Sequence, residues 1–282
     1  MQSYTGDQSQ LPVQEAPVRD TGLRTRVISG ALIGVVTIIP GLLGGLWFTS
    51  LVVLVALLTT YEVNVMMQMS GFKPSLIFSL AAALASFAFV RFPTLPFIPA
   101  IATVLLFASI AMQMRHRQGQ PIADWAIAIA SGAYLGWTSG HIAAVRELDN
   151  GLWWLLIAIG ITWLADSGAY LVGKRFGKRK LAPSLSPKKT WEGYFGGVGA
   201  AVLGGIVIGL VSPLGMMNSV IASLLVGIFG TLGDLVESMF KRQAHSKDSG
   251  RLIPGHGGAF DRVDSLLWAG VIVFYYATLL PH

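Results

Sequence analysis

The chain has 282 residues, of which 53% are hydrophobic and only 12% are charged, and its formal net charge is +6. A soluble domain carries about 25% charged residues, so the composition excludes an ordinary soluble globular protein. Cysteine is absent, which excludes disulfides and thiolate metal sites. The excess of Lys and Arg is typical of the cytoplasmic loops of a membrane protein, and we prefer that interpretation to nucleic-acid binding.

Residues 1–22 are rich in Gln, Ser, Pro and Gly, and this composition predicts a disordered cytoplasmic tail. Apolar runs of about 17–25 residues then recur, which is the length of a helix that crosses the hydrocarbon core. We therefore predict an all-α polytopic integral membrane protein with about nine transmembrane helices and a cytoplasmic N-terminus. The predicted spans are 27–45, 46–68, 75–91, 95–114, 123–145, 151–172, 191–211, 217–240 and 263–280.

The spans divide into an N-terminal transmembrane region, 23–150, with five helices, and a C-terminal catalytic region, 151–282, with four. The C-terminal region also contains two cytoplasmic loops, at 173–190 and 241–262. This arrangement places 18 of the 20 Lys and Arg residues on the cytoplasmic side and leaves only Arg91 and Arg146 outside. The span 123–145 contains His141 and several small polar residues, so we expect it to face protein rather than lipid.

Acidic residues are informative in such a chain, because a carboxylate near hydrocarbon is costly unless it is paired or faces water. Three of the C-terminal helices carry acidic residues near their cytoplasmic ends, at spacings that place each set on one helix face. The sets are Asp234, Glu237 and Lys241 at i, i+3 and i+7; Asp261 and Asp264 at i and i+3; and Asp166 and Tyr170 at i and i+4.

On spacing alone, these carboxylates are either ion pairs that lock the helices together or ligands of a cation. Oxygen donors without cysteine suit a hard cation such as Mg²⁺. The surrounding Lys and Arg residues favour the second interpretation, because a polyphosphate substrate needs both a metal and cationic side chains. The glycine-rich turn 250–262 can present free N–H groups to phosphate. Within it, His256 either donates to a phosphate or ties the turn together, and the Pro-rich loop 182–189 is either a lid or a linker.

The C-terminal half resembles the phosphatidate cytidylyltransferases, or CDP-diacylglycerol synthases. The resemblance covers about 151–282, whereas the first 150 residues match mainly by hydropathy. One departure is Ala259, where a larger aliphatic residue is usual. The motifs that carry the resemblance are Ser238-Met-Phe-Lys241-Arg242, Lys247-Asp248, Pro254-Gly-His256-Gly257-Gly258 and Asp261-Arg262-Val-Asp264, with the upstream blocks Gly233–Ser238, Asp166–Tyr170 and Ser186–Gly193.

The resemblance implies that CTP and phosphatidic acid react to give CDP-diacylglycerol and pyrophosphate, with Mg²⁺ as the cofactor. It implies that Asp234, Asp261 and Asp264 are metal ligands. The implied catalytic residues are Asp234, Asp261, Lys241, Asp248 and His256, and the implied substrate-binding residues are Lys188, Lys189, Arg242, Arg262, Asp166, Tyr170 and Ser186.

The implied partners are membrane lipid and a second copy of the chain in a homodimer, with no nucleic acid. The expected location is the inner (plasma) membrane, with the active site on its cytoplasmic side. Two alternatives stay open. A CTP-dependent lipid kinase would share the metal and the nucleotide but release CDP. An ion-coupled transporter would place acidic residues near the middle of spans in two related halves.

Overall fold

The computed structural model describes residues 23–115, 120–250, 252 and 257–279. The predicted tail 1–22 and His256 lie outside these residues. Within them the chain forms nine helices. The helices are α1 (Leu23–Leu43), α2 (Gly45–Met69), α3 (Leu76–Arg91), α4 (Phe97–Gln113), α5 (Pro121–Val145), α6 (Gly151–Phe176), α7 (Trp191–Val211), α8 (Met216–Gln243) and α9 (Phe260–Leu279).

Each predicted span corresponds to one helix, and the helical membrane-protein class is confirmed. Among the described residues, four helices are long and apolar enough to cross a membrane, namely α2, α6, α7 and α8. Large apolar side chains cover the outside of the molecule; Trp47, for example, is 70% exposed and Phe107 is 65% exposed. Apolar surface on this scale requires an apolar environment, so lipid is the natural solvent of this surface. The count of nine spans stays a prediction.

A short β-hairpin interrupts the helical pattern in the segment that we expected to be a loop. Strands β1 (Lys180–Ala182) and β2 (Ser186–Thr190) pair antiparallel. The Thr190 hydroxyl accepts the Gly193 N–H at 3.2 Å and so caps α7. The Glu192 carboxylate accepts the Lys178 N–H at 3.0 Å. Both ends of the hairpin are therefore fastened to the start of α7.

Helix α6 contains one π-helical turn at Ile157–Ile161, between the α-helical segments Gly151–Leu156 and Thr162–Phe176. The side chains of Ile157 and Ile161 are buried in the centre of the bundle. A single π turn inside an α-helix is often found near a functional site. Here it precedes the segment of α6 that carries Asp166.

Helix α5 is enclosed by protein, as its polar composition predicted: 14 of its 25 residues are buried, including His141. Its glycines allow close contact with α3. A Cβ at Gly132 or Gly136 would collide with the backbone carbonyl oxygens of Ser79 or Ala83. Small residues at such a spacing let two membrane helices pack backbone to backbone.

The two ends of the bundle differ in charge. At one end, Arg91 forms an ion pair with Glu147 at 3.0 Å, and Arg146 donates to the Gly41 carbonyl at 2.8 Å. The end of α6, the hairpin with the residues just before it, the end of α8 with the turn after it, and the start of α9 lie at the other end. Together they carry eleven of the other 18 basic residues. This distribution is the one that the positive-inside rule associates with a cytoplasmic and an outer face.

Candidate active site

A cavity of about 410 Å³ opens between α6, the hairpin, α7, α8 and α9. Along α8 its wall changes from apolar at Val226 through Gly227 and Gly230 to the charged Asp234. The cavity therefore offers an apolar and a charged part to the same ligand. The charged and hydrogen-bonding side chains in its wall are Asp166, Tyr170, Lys174, Lys188, Lys189, Thr190, Tyr194, Thr231, Asp234 and Ser265, together with Thr162.

A glycine brings α8 and α9 together at the charged part of the cavity. A Cβ at Gly233 would collide with the Asp264 carbonyl oxygen and would lie 2.9 Å from the Ser265 Cα. Because glycine has no Cβ, the two backbones can touch here. The contact places Asp234, the next residue of α8, beside Asp264 of α9.

Three carboxylates meet at this contact. Asp234, Glu237 and Asp264 each offer an oxygen within 4.8 Å of the others. Glu237 is only 3% exposed. Its Oε1 atom is buried and has no hydrogen-bond partner among the described residues. A buried carboxylate oxygen without a partner is costly, and a bound cation would satisfy it.

Two lysines pair with these carboxylates. Lys189 Nζ of the hairpin lies 2.6 Å from Asp234 Oδ2. Lys241 Nζ lies 2.7 Å from Glu237 Oε2 and 2.5 Å from Asp261 Oδ1. Together with Asp264, four carboxylates face two ammonium groups, so the fully ionised cluster would carry two more negative charges than the two lysines offset.

Asp261 belongs to the same network through Lys241 but is not one of the three converging carboxylates. Besides Lys241, its carboxylate accepts the N–H of Ser249 at 2.9 Å and the N–H of Gly258 at 2.8 Å. The structure therefore brings together two of the three predicted metal ligands, Asp234 and Asp264. The third carboxylate beside them belongs to Glu237, while Asp261 anchors the turn before α9.

The other predicted site residues fall into two groups. Asp166, Tyr170, Lys188 and Lys189 line the cavity. Outside its wall, Arg242 donates to the Leu185 carbonyl at the hairpin turn at 3.0 Å. The remaining residues outside the wall are Ser186 on β2, Asp248, exposed in the turn after α8, and Arg262, exposed in the first turn of α9.

Sequence reasoning missed Glu62. It lies in α2, in the N-terminal region, and is 3% exposed. Its carboxylate accepts the N–H of Ala259 at 2.8 Å and the N–H of Phe260 at 2.9 Å, as well as the Ser249 hydroxyl at 3.0 Å. The available signal was a single acidic residue within the apolar run 46–68, because an ionisable side chain inside a span rarely lacks a role.

The donor set fits Mg²⁺. All three converging side chains supply carboxylate oxygens, which hard divalent cations prefer. The unpartnered Glu237 oxygen and the excess negative charge also favour a cation at this position. The residues that would hold it are Asp234, Glu237 and Asp264.

Comparison with known proteins agrees with this site. The profile of the Cytidylyltransferase family matches residues 24–280. Phosphatidate cytidylyltransferase of Brucella suis is 31% identical over 269 residues, which cover 93% of this chain and 96% of that protein. The enzyme of the same name from Staphylococcus epidermidis is 34% identical over 249 residues, 84% of this chain and 93% of that protein. The one from Bacillus subtilis is 42% identical over 149 residues, 52% of this chain and 55% of that protein. The chain therefore belongs to the cytidylyltransferase family.

Proposed function

We propose that the chain is a phosphatidate cytidylyltransferase, which transfers CMP from CTP to phosphatidic acid. One observation carries the proposal: a carboxylate cluster with paired lysines lies at the charged part of a cavity that also has an apolar part. A lipid with an anionic headgroup needs both parts. Relatives that carry this name and align with 93% of the chain support the same activity.

The reaction is an in-line displacement at the α-phosphorus of CTP. An oxygen of the phosphatidate headgroup forms a new P–O bond as the bond from the α-phosphorus to the β-phosphate oxygen breaks. Pyrophosphate leaves with that electron pair. The ionised phosphate is already a nucleophile near neutral pH, so the protein needs no strong base. Its task is to position two anions and to offset their charge.

The proposed roles follow from the contacts. Asp234, Glu237 and Asp264 would hold Mg²⁺, which would supply positive charge to offset that of the phosphate oxygens. Lys188 and Lys189 supply positive charge from the hairpin, whose strands carry them to the cavity wall.

The remaining residues of the network act around that centre. Lys241 holds Glu237 and Asp261 in place through its two short contacts. The apolar part of the cavity, around Val226, receives the start of the acyl chains. Asp166 and Tyr170 complete the wall.

We further propose nine spans with a cytoplasmic N-terminus, so that the site faces the cytoplasm from the inner membrane. The concentration of basic residues at the site end supports this orientation, and labelling single cysteines introduced at each end of the bundle of this cysteine-free chain tests it. A homodimer rests on the family resemblance alone. Light scattering of the purified protein in detergent tests it, and a monomeric mass would contradict it.

The activity is tested with purified protein, phosphatidic acid, CTP labelled at the α-phosphate, and Mg²⁺, with and without EDTA. We expect the label to enter the organic phase, with release of pyrophosphate, and EDTA to abolish both. Label that remains aqueous as CDP would identify a lipid kinase instead. No turnover of any lipid would contradict the proposed function and favour ion-coupled transport.

A further inference from the structure

Glu62 links the N-terminal region to the start of α9. Its carboxylate is buried and accepts two consecutive backbone N–H groups, those of Ala259 and Phe260. These N–H groups lie at the start of a helix, where they have no intrahelical partner. A carboxylate in this position satisfies both donors and interacts favourably with the positive end of the helix dipole.

Ser249 connects Glu62 to the catalytic network. Its hydroxyl oxygen lies 3.0 Å from Glu62 Oε2 and 2.9 Å from Asp261 Oδ2. The hydroxyl has a single proton and donates to one of these carboxylates at a time, while the Ser249 N–H donates to Asp261 Oδ2 at 2.9 Å. Asp261 in turn contacts Lys241, which contacts Glu237. A continuous chain of hydrogen bonds and ion pairs therefore runs from α2 to the three-carboxylate group.

The glycines around Glu62 provide independent support. A Cβ at Gly250 would lie 2.7 Å from Glu62 Oε1, and a Cβ at Gly258 would collide with Ser249 Oγ and lie 2.5 Å from Glu62 Oε2. Any side chain at either position would push the carboxylate out. These two glycines thus keep open the space in which Glu62 binds the turn.

We propose that Glu62 is a positioning residue for the transfer reaction. It fixes the first residues of α9 and, through Ser249 and the helix itself, the positions of Asp261 and Asp264. This inference rests on the proposed function, because its kinetic test measures that activity. It also assigns the N-terminal region a part in the active site, in addition to membrane anchoring.

The first test compares Glu62→Gln with the wild type in the full-length protein. The glutamine amide has nearly the same size as the carboxylate. Its NH₂ group, however, would face donors that the carboxylate accepts, namely the N–H groups of Ala259 and Phe260 and the Ser249 hydroxyl. Removing a direct outer partner of a metal ligand costs about 10- to 100-fold in metal affinity or activity. Glu62 acts on the ligands only through Ser249 and α9, so we expect the half-saturating Mg²⁺ concentration to rise or kcat to fall by about 10-fold, the lower end of that range. Glu147→Gln is the matched control, because Glu147 is an acidic residue at the opposite end of the bundle, and it should leave both values unchanged.

If the role of Glu62 were merely structural, the Glu62→Gln variant would have a lower melting temperature and yield. The protein that does fold would keep the wild-type kcat and the wild-type dependence of activity on Mg²⁺. That result would overturn the proposal. Should Glu62→Gln fail to fold, Ser249→Ala tests the link through Ser249, because it removes the hydroxyl between Glu62 and Asp261 but keeps both backbone contacts of Glu62. We expect a shift of the Mg²⁺ dependence in the same direction, and wild-type kinetics in a folded Ser249→Ala variant would refute positioning through the Ser249 hydroxyl.

Amide hydrogen exchange provides a readout that does not depend on activity. Without Mg²⁺ or substrate, Glu62→Gln should speed exchange in peptides that cover 257–264 relative to the rest of α9. Unchanged exchange there would contradict the positioning role even if the protein had no transferase activity. Failure of the proposed function and failure of this inference are therefore distinguishable.

Discussion

Replacing Gly233 with Ala tests whether the contact between α8 and α9 sets the geometry of the site. The new Cβ would lie 2.9 Å from both the Asp264 carbonyl carbon and the Ser265 Cα. Carbon–carbon contacts are optimal at about 3.5–4.0 Å, so α9 must withdraw by about 0.6–1 Å. Backbone atoms cannot rotate away as the end of a side chain can.

Two consequences follow for the Gly233→Ala variant. Overpacking costs about 1–3 kcal/mol of stability, partly offset by about 0.5–1 kcal/mol from replacing a helical glycine. Misplacement of a reacting group by about 1 Å lowers the rate by about 100-fold. We therefore expect a modest fall in melting temperature and a loss of about two orders of magnitude in kcat.

The assay is transfer of α-labelled CMP into lipid, normalised to folded protein by size-exclusion chromatography. Gly199→Ala is the matched control, since Gly199 lies within α7 with nothing within 4 Å of the added Cβ. The control should keep wild-type activity. A folded Gly233→Ala variant with wild-type kcat would refute the idea that the spacing of α8 and α9 governs the site.

Three further substitutions probe other contacts. Asp234→Asn should lower the activity by more than the roughly 100-fold that is typical of losing an outer partner of a metal ligand. Its elution from a size-exclusion column in detergent should be unchanged, and near-normal turnover would exclude Asp234 as a ligand. Lys241→Met leaves Glu237 and Asp261 without their shared cation, so the free energy of unfolding should fall by about 3–5 kcal/mol. Thermal or denaturant unfolding measures this change, and an unchanged stability would contradict the pairing. Arg242→Ala removes the hydrogen bond that holds the hairpin turn. The KM for CTP should rise by about 2- to 10-fold, the equivalent of about 0.5–1.5 kcal/mol, while kcat stays unchanged. An unchanged KM would argue against a role of the hairpin in nucleotide binding.

The helices were predictable because each is a long apolar run between polar segments, and the burial of α5 followed from its small polar residues. The hairpin was not, since its short strands lack the alternation that marks a strand. Its stability comes from contacts with Thr190 and Glu192 at the start of α7. Such tertiary contacts override local propensity.

The site was predictable in its composition but not in its geometry. Helical spacing placed Asp234 and Glu237 on one face of α8, as the structure has them. Spacing could not tell which of Asp261 and Asp264 faces them, because that depends on how closely α9 approaches at Gly233. Nor could it connect Glu62 to Ala259, nearly 200 residues later in the chain.

The π turn of α6 has a consequence for how mutations in this helix act. An α-helix advances about 100° per residue, and a π turn holds about one residue more than an α turn. Compared with an uninterrupted α-helix of the same residues, the segment after Ile161 is therefore rotated by about 100° relative to the segment before Ile157. Deleting one residue within the turn, such as Gly160, would convert it to an α turn and leave Asp166 and Tyr170 facing the cavity. Deleting one residue between Ile161 and Asp166 would instead rotate both side chains by about 100°. In this part of the chain, the number of residues controls the chemistry as strongly as their identity.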